Sequence, residues 1–554
     1  MTFGFVKAFT GRDDMKTKTQ SRGILPLLLC GAVFTALTLV FPQAGLLQWL
    51  TMIPLAAGLF RLCESPILTL RRAYGYGFLT VYVYYLVLYH WIVNLYPLDF
   101  VGLDNAASAA VVAVGWFGLP LLQAIPGGLI FLLFAALSKT PLFDRAPLLR
   151  PFALSALWVL FEWSSTLGWT GVPWGRLALG QIECLPLLQS ASLFGSYFIT
   201  FLIVAVNALL AYAILYNMRA SVCGLLASIL FCSNFVFGIL SMNLPSRTDA
   251  ETLRVAVVQG NIDSHEKWGP DSVQTTRERY GELTRRAAEQ GADLIVWPET
   301  VFPSPLNHSA TTRIFLSELA QECNVTLLVG STYYVKDESN YNALFIVTPD
   351  GAIDLDHFYA KRHLVPFGEY VPMRDVITTL VPPLANLSAL GEDLTPGEDS
   401  ANFETAWGSI GALICFDSIY ETLALDSVRD GAELLVLSSN DSWFYDSAGI
   451  YQHQAQAQLR AIETGRDLVR AGNTGISSVV TAKGECIAWV DPLTEGYAVA
   501  DVSLRSSDTL YVCVGNLFVY LCAAFCLLLL GAGYVQKRRY PHALPRFCRS
   551  DRLF

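Results

Sequence analysis

Apolar residues fall into two regimes along this chain. Over residues 23–241 they form long, nearly unbroken runs. From 245 to 505 they form short runs interrupted every few positions by charge, and a last apolar run covers 511–535. A bilayer core takes about 20 apolar residues per helix. Against that length the long runs predict spans at 23–41, 45–60, 73–96, 107–137, 148–169, 191–216, 220–241 and 511–535, about eight in all. The second is short. The fourth is long and holds Pro120, Pro126, Gly127 and Gly128, which predicts a kink or a tilted entry.

The middle segment reads differently. Leu253–Val258 has the pattern of a buried strand, 271–290 suits a helix ending at Gly291, and Asp293–Trp297 is a second strand. A helix at 311–323 precedes a strand at Thr326–Val329. Tyr341–Val347 and Ile353–Tyr359 flank Pro349-Asp350-Gly351 and predict a hairpin. Gly411–Ile414 leads to a cysteine. A helix near 418–429, a strand at 433–437, a helix at 448–464 and strands at 467–471, 476–481 and 486–490 follow. Strands alternating with helices predict a layered α/β domain.

The predicted organisation is therefore an N-terminal tail at 1–22, seven spans within 23–244, a globular domain at 245–505, and an eighth span with a basic tail at 506–554. Composition fits: of 554 residues 53% are hydrophobic and only 15% charged, where soluble proteins average about 25%. The first apolar block lacks a small-residue cleavage site and reads as retained. With eight spans, Lys7, Arg12, Lys16, Lys18, Arg22, Arg61, Arg71, Arg72, Lys139, Arg145, Arg150, Arg219 and the tail arginines share one side, while the other short loops offer Arg176. That asymmetry puts both termini in the cytoplasm and 245–505 outside. The tyrosines and tryptophans at 82, 84, 85, 89, 91, 158 and 163 suggest an interfacial belt. Glu162, a carboxylate within a span, needs a partner. It is either a structural hydrogen-bonding group or part of the mouth of a substrate groove.

A net charge of −10 without a basic stripe in the globular segment argues against nucleic acid. No phosphate-binding glycine motif appears. Most of the twelve cysteines sit in apolar spans; the globular segment holds Cys323, Cys415 and Cys486, too few for a disulfide framework and without zinc-site spacing. Candidate chemistry lies elsewhere. Ile295-Val296-Trp297-Pro298-Glu299 and Gly411-Ala412-Leu413-Ile414-Cys415 each run an apolar strand into a reactive side chain, and ligands of α/β folds gather at such strand ends. Lys361 lies between them in sequence, with Glu369 eight residues on. A carboxylate base, a cation for an oxyanion and a thiol nucleophile specify acyl chemistry.

In that order, Glu299, Lys361 and Cys415 resemble the catalytic residues of the nitrilase superfamily. Val258-Gln259-Gly260-Asn261-Ile262, Lys267-Trp268, Pro173-Trp174-Gly175, His363-Leu364-Val365-Pro366-Phe367-Gly368-Glu369 and Ser439-Asn440-Asp441-Ser442-Trp443-Phe444 narrow the resemblance to its membrane-embedded branch, the apolipoprotein N-acyltransferases. The similarity runs from about residue 23 to 535. It implies a multi-pass helical membrane domain carrying an extracytoplasmic α-β-β-α sandwich, in a bacterial inner membrane. It implies transfer of the sn-1 acyl chain of a phospholipid, through a thioester on Cys415, to the α-amine of the S-diacylglyceryl cysteine of an apolipoprotein, the last step of lipoprotein maturation. Glu299 would be the base, Lys361 the oxyanion partner, Glu369 a supporting acid, and Trp268 and Trp443 substrate-lining aromatics. No metal or organic cofactor and a monomeric enzyme are expected. The family often reads Cys-Tyr-Glu where this chain has Cys415-Phe416-Asp417. Phe416 keeps the ring without its hydroxyl, and Asp417 keeps the charge on a shorter arm.

An acyl donor held in lipid needs apolar guidance to the thiol. Tyr370–Met373 with Val376, Ile377, Leu380 and Val381, and separately Trp443-Phe444-Tyr445, either touch the interface or pack on the domain. Two other functions use parts of the same sequence. A tethered amide or nitrile hydrolase would share the triad but admit water. A transporter or sensor would carry more charge in its spans than Glu162 and show internal repeats.

Overall fold

The computed structural model describes residues 23–98, 103–217, 220–244, 252–263, 272–335, 339–380 and 393–539, with the side chains of 377 and 380 not included. Among them, six helical stretches are long and apolar enough to cross a membrane: Pro42–Glu64, Leu70–Leu95, Asn105–Ser138, Ser196–Tyr216, Ala220–Asn243 and Leu517–Arg539. Two of the eight expected spans are shorter helices, Ile24–Val40 with 17 residues and Leu149–Ser164 with 16. The second stops early for a local reason. The hydroxyls of Ser164 and Ser165 donate to the carbonyls of Phe161 and Glu162 and cap the helix, so the apolar residues beyond it turn back. The brief apolar run at 45–60 gains length from the turn beginning at Pro42. Pro120 and Pro126 lie inside the continuous helix Asn105–Ser138.

Four of the seven aromatic residues do not belong to the expected belt, while Tyr82, Trp91 and Trp163 are half-buried. Tyr84, Tyr85, Tyr89 and Trp158 are buried inside the protein. Tyr84 donates its hydroxyl to Gly175 O at 2.8 Å and Tyr89 to Val172 O at 3.3 Å, so they brace the loop after the fifth helix from within. Glu162 accepts from Leu177 N–H at 3.0 Å and from Thr200 Oγ1 at 2.6 Å. Both oxygens are used, which makes it the structural group of the two readings.

Among the described residues, the globular segment contains two six-stranded sheets. Strands β1 (Thr252–Gln259), β2 (Leu294–Val296), β3 (Thr326–Val335), β4 (Ser339–Val347), β5 (Tyr359–Ala360), β6 (Phe403–Thr405), β7 (Gly408–Ile414), β8 (Leu434–Ser439), β9 (Leu468–Gly472), β10 (Ser477–Val480), β11 (Cys486–Val490) and β12 (Gly496–Ser503) pair in the orders β12-β1-β2-β3-β4-β5 and β11-β10-β9-β8-β7-β6. β1, β2 and β3 run parallel, as do β7, β8 and β9. Two expectations change. Ile353–Tyr359 is not a strand beyond one bridge to Val347 and the short β5, because the Asp354 carboxylate accepts from the N–H groups of Asp356 and His357 and curls the chain. β6 and β12 were not anticipated, and β12 pairs with all of β1.

Side-chain alternation assembles the layers. Val255, Val257, Leu294 and Val296 meet Ile410, Ala412, Ile414 and Val436 between the sheets. Ala256, Val258 and Ile295 face the other way, onto helices Ser272–Glu289 and Ala310–Cys323. On the far side of the second sheet, Leu413, Leu435 and Leu437 pack under helices Glu421–Arg429 and Ala448–Thr464, and that core is continuous with Leu88, Phe161, Leu202 and the rest of the membrane helices. The two domains therefore share one hydrophobic core.

Buried polar contacts lock this junction. Arg176, which the sequence offered as a loose loop charge, forms a fully buried ion pair with Glu421. Tyr197 donates to the same carboxylate at 2.9 Å, Ser196 N–H to Glu463 at 2.8 Å, and Tyr420 to Gly171 O at 2.7 Å. Burial pulls the Glu421 carboxyl up, but Arg176 and Arg460 outweigh it and bring it down to about 2. A depressed carboxyl contributes stability that is fully present above its ordinary 4.5 and is lost as pH falls toward 2. Arg176→Ala, which strands a buried carboxylate, is expected to cost about 3–5 kcal/mol, and replacing both partners by Met much less. Thermal unfolding of the detergent-solubilised protein checks this; its Tm should fall between pH 4.5 and 2 more steeply in wild type than in Glu421→Gln.

Candidate active site

Three strand ends deliver the site. Beyond β2, Trp297 is wedged in the core: its N–H donates to Leu328 O at 2.8 Å, its indole to Thr284 at 3.1 Å, and its carbonyl accepts from Ser438 at 2.8 Å. That fixes Glu299 two residues later. Gly330 on β3 makes room, since a Cβ there would lie 2.3 Å from Pro298 O and 2.7 Å from the Glu299 Cα. Lys361 directly follows β5, its N–H donated to Asn342 O and its carbonyl accepting from Gly397 N–H. Cys415 directly follows β7 with φ +49° and opens a 3-10 turn, Cys415–Ile419.

Lys361 Nζ lies 2.9 Å from Glu299 Oε1 and 2.9 Å from Glu369 Oε1. Asn342 Nδ2 donates to the same two oxygens, at 2.6 and 3.0 Å. The remaining oxygens accept backbone N–H groups, Glu299 Oε2 from Asn440 at 2.9 Å and Glu369 Oε2 from Val365 at 2.8 Å. Lys361 is 1% exposed and Glu299 6%. Burial alone would drive the lysine neutral, but Glu299 and Glu369 reverse that and hold the ammonium well above its ordinary range. Cys415 feels the opposite balance. Burial, then Glu299, push its thiol far up, while Lys361 and, more weakly, a contact with Ser439 pull the other way. At rest it is a thiol that needs a base.

Asp417 is buried and ties the cysteine turn to the lysine loop. It accepts from Tyr359 at 2.8 Å, His363 N–H at 2.8 Å and Ile414 N–H at 3.0 Å. Burial raises its carboxyl to about 6, against Lys361 and these donors. Phe416 meets Tyr420 edge-on at 5.6 Å. Trp443 is half-buried, and its neighbour Phe444 packs on Trp91 and Trp174, so this loop sits on the membrane domain. In the other loop Val371 is buried while Met373 and Val376 are exposed. Trp268 and Val381 lie outside the described residues.

The sequence did not single out Asn342, Tyr359 or His453. Asn342 sits on β4 and donates to both carboxylates; a polar residue within the apolar run Tyr341–Val347 was its only signal. The Cys415 thiol, an Asp441 oxygen and a His453 nitrogen lie within 4.8 Å of one another. That is a metal-like donor set. Asp441, however, already receives Arg470 at 2.6 Å, His453 at 2.8 Å and Ser439 at 2.8 Å, and the guanidinium already balances its charge.

Comparison with known proteins matches two family descriptions, the apolipoprotein N-acyltransferase N-terminal domain at residues 31–209 and carbon-nitrogen hydrolase at 254–510. The apolipoprotein N-acyltransferase of Geobacter metallireducens is 31% identical over 93% of this chain and 96% of its own length. That of Gloeobacter violaceus is 34% identical over 94% and 96%. Among solved structures, Saccharomyces cerevisiae Nit3, of the nitrilase superfamily, is 23% identical over 46% of this chain and 90% of its own, with a TM-score of 0.36.

The charges around Cys415 make a signed prediction. Glu299→Gln removes the carboxylate that raises the thiol, and Lys361→Met removes the ammonium that lowers it. Alkylation of Cys415 by iodoacetamide at pH 8, followed by peptide mass spectrometry, is expected to speed up in the first and slow down in the second, by about tenfold for each unit the thiol moves.

Proposed function

The chain belongs to the apolipoprotein N-acyltransferase family, and from that premise we propose that it acylates lipoproteins in two steps through Cys415. In the first, Glu299 takes the thiol proton as Sγ attacks the ester carbonyl of a phospholipid. Of the three Lys361 protons, two bind Glu299 and Glu369; the third meets the developing oxyanion, together with backbone N–H groups after Cys415. The ester C–O bond breaks, Glu299 returns the proton to the departing alkoxide, and a lysophospholipid leaves. In the second step the α-amine of the S-diacylglyceryl cysteine attacks the thioester. Glu299 takes the amine proton, the C–S bond breaks, and the thiol and an amide are formed.

One observation carries this reading: a buried ammonium is bonded to both Glu299 and Glu369 beside a half-buried thiol whose surroundings disfavour its ionised form. A water-poor site suits a thioester that must wait for an amine. Glu369 serves as the second anchor of Lys361, and Asn342 holds the two carboxylates at fixed spacing. Asp417 orients the cysteine turn. Trp268, Trp443 and the 370–376 loop contact substrate.

The catalytic domain faces the periplasm of a bacterial inner membrane, with both termini cytoplasmic. In support, the domain docks on the bundle end that carries Arg176, while Arg150, on the basic side by charge count, pairs with Glu64 away from it. The phospholipid acyl donor and the diacylglyceryl apolipoprotein are its partners; it acts as a monomer.

Mass spectrometry of protein purified from membranes tests the proposal. Wild type should carry one fatty acyl group on Cys415, discharged by a lipopeptide amine and only slowly by water. Cys415→Ala should carry none, and Glu299→Gln and Lys361→Ala should load at least about 10²-fold more slowly. Acyl transfer by Cys415→Ala at the wild-type rate would contradict it.

A further inference from the structure

Cys415 is held in a backbone conformation that a side chain with a Cβ avoids, φ +49°. Contacts around it must impose that geometry. On one side Asp417 ties the turn to Tyr359 and His363. On the other, two groups reach the Cys415 carbonyl oxygen: Ser418 Oγ at 2.8 Å and His453 Nε2 at 3.1 Å. Ser418 belongs to the same turn and moves with it. His453 belongs to helix Ala448–Thr464, which lies at the domain junction.

His453 is itself fixed. Its Nδ1 lies 2.8 Å from Asp441 Oδ1, and Asp441 is held in turn by Arg470 and Ser439. A carboxylate and a carbonyl can only accept, so both contacts are hydrogen bonds when each ring nitrogen carries a proton; Ser418 Oγ lies 3.1 Å from Nε2 as well. Nδ1 also lies 3.3 Å from Arg470 Nη2, a longer contact than the one to the carboxylate. Trp174 packs on the imidazole at 5.5 Å and Phe444 at 5.9 Å. Trp174 comes from the membrane domain and donates its indole N–H to Gln452, the residue before His453, at 2.6 Å. The histidine, Asp441 and Arg470 are all at most 1% exposed.

We infer that His453 is a positioning residue for the nucleophile: by donating Nε2–H to the Cys415 carbonyl it holds the turn in its left-handed conformation. In a trans peptide the C=O and the next N–H point in opposite directions. Holding the Cys415 carbonyl toward His453 therefore turns the Phe416 N–H to the opposite side, where a tetrahedral oxyanion needs a donor. His453 touches no reacting atom; it acts through the peptide plane. The membrane domain, through Trp174, then backs the nucleophile as well as docking the catalytic domain. This inference rests on acyl transfer through Cys415.

The test uses the full-length protein in lipid nanodiscs of phosphatidylethanolamine and phosphatidylglycerol, with single-turnover acyl loading of Cys415 read by mass spectrometry at varied donor content. Wild type, His453→Ala and His453→Gln are compared. His453→Ala should load about 10²-fold more slowly at saturating donor, the usual cost of a misplaced reacting group, with the half-saturating donor content unchanged. His453→Gln, whose amide can donate from nearly the same place, should recover most of the rate. Thermal unfolding of each variant is read in parallel, and the Gln variant decides the matter if the Ala variant unfolds. Loading of His453→Ala at the wild-type rate, or a folded His453→Gln as slow as the Ala variant, overturns the inference. A change confined to half-saturation also overturns it. If wild type itself never loads Cys415, the acyl-transfer reading fails instead.

Discussion

One ammonium group organises this site. A buried carboxylate and a half-buried one that share a single partner cannot both stay ionised without a compensating cation, and Lys361 is bonded to both Glu299 and Glu369. Their spacing is enforced twice, by Lys361 and by Asn342. These groups come from β4, from the end of β2 and from the segment after β5, so the fold has to fix separate strand ends relative to one another. The core between the sheets does that, with Trp297 anchoring the glutamate and Asp417 joining the cysteine turn to the lysine loop. Burial and the same charges set the thiol: burial, then Glu299, raise it, and Lys361 eases its ionisation.

The second constraint is the shared core. Helices Glu421–Arg429 and Ala448–Thr464 cover the second sheet with one face and the membrane helices with the other. A soluble domain merely tethered to a membrane has no need of a buried Arg176–Glu421 pair or of a tyrosine hydroxyl donated across the junction. Such contacts tolerate little relative motion. They suit an enzyme family whose acyl donor is itself a membrane component, because the route from lipid to thiol must be short and stay apolar. The ring series from Trp91 through Trp174 and Phe444 to His453 runs along that junction.

Glu299 and Cys415 were legible because each follows a segment whose hydrophobic pattern announces a strand, and strand ends are where α/β folds gather reactive groups; Lys361 was legible only as the cation lying between them in sequence, eight residues before Glu369. The two-layer alternation was legible for the same reason. Asn342 and His453 were not. Each lies inside a regular element, where one polar residue looks like an ordinary neighbour, and only the three-dimensional packing reveals the carboxylates or carbonyl that it faces. The tyrosines of residues 84–89 misled because hydropathy reports that a ring is near the membrane boundary but not whether it points to lipid or to a buried loop. The strand expected at Ile353–Tyr359 failed on the single side chain of Asp354, whose hydrogen bonds to the following amides compete with sheet pairing.

The central claim is that a covalent acyl-enzyme forms before the acceptor arrives, and lysophospholipid release measures it most directly. Purified enzyme mixed with phospholipid and no lipopeptide should release one lysophospholipid per Cys415 in a single burst, then stop until an amine acceptor is added. Release only in the presence of acceptor, or steady release without one, would contradict the account.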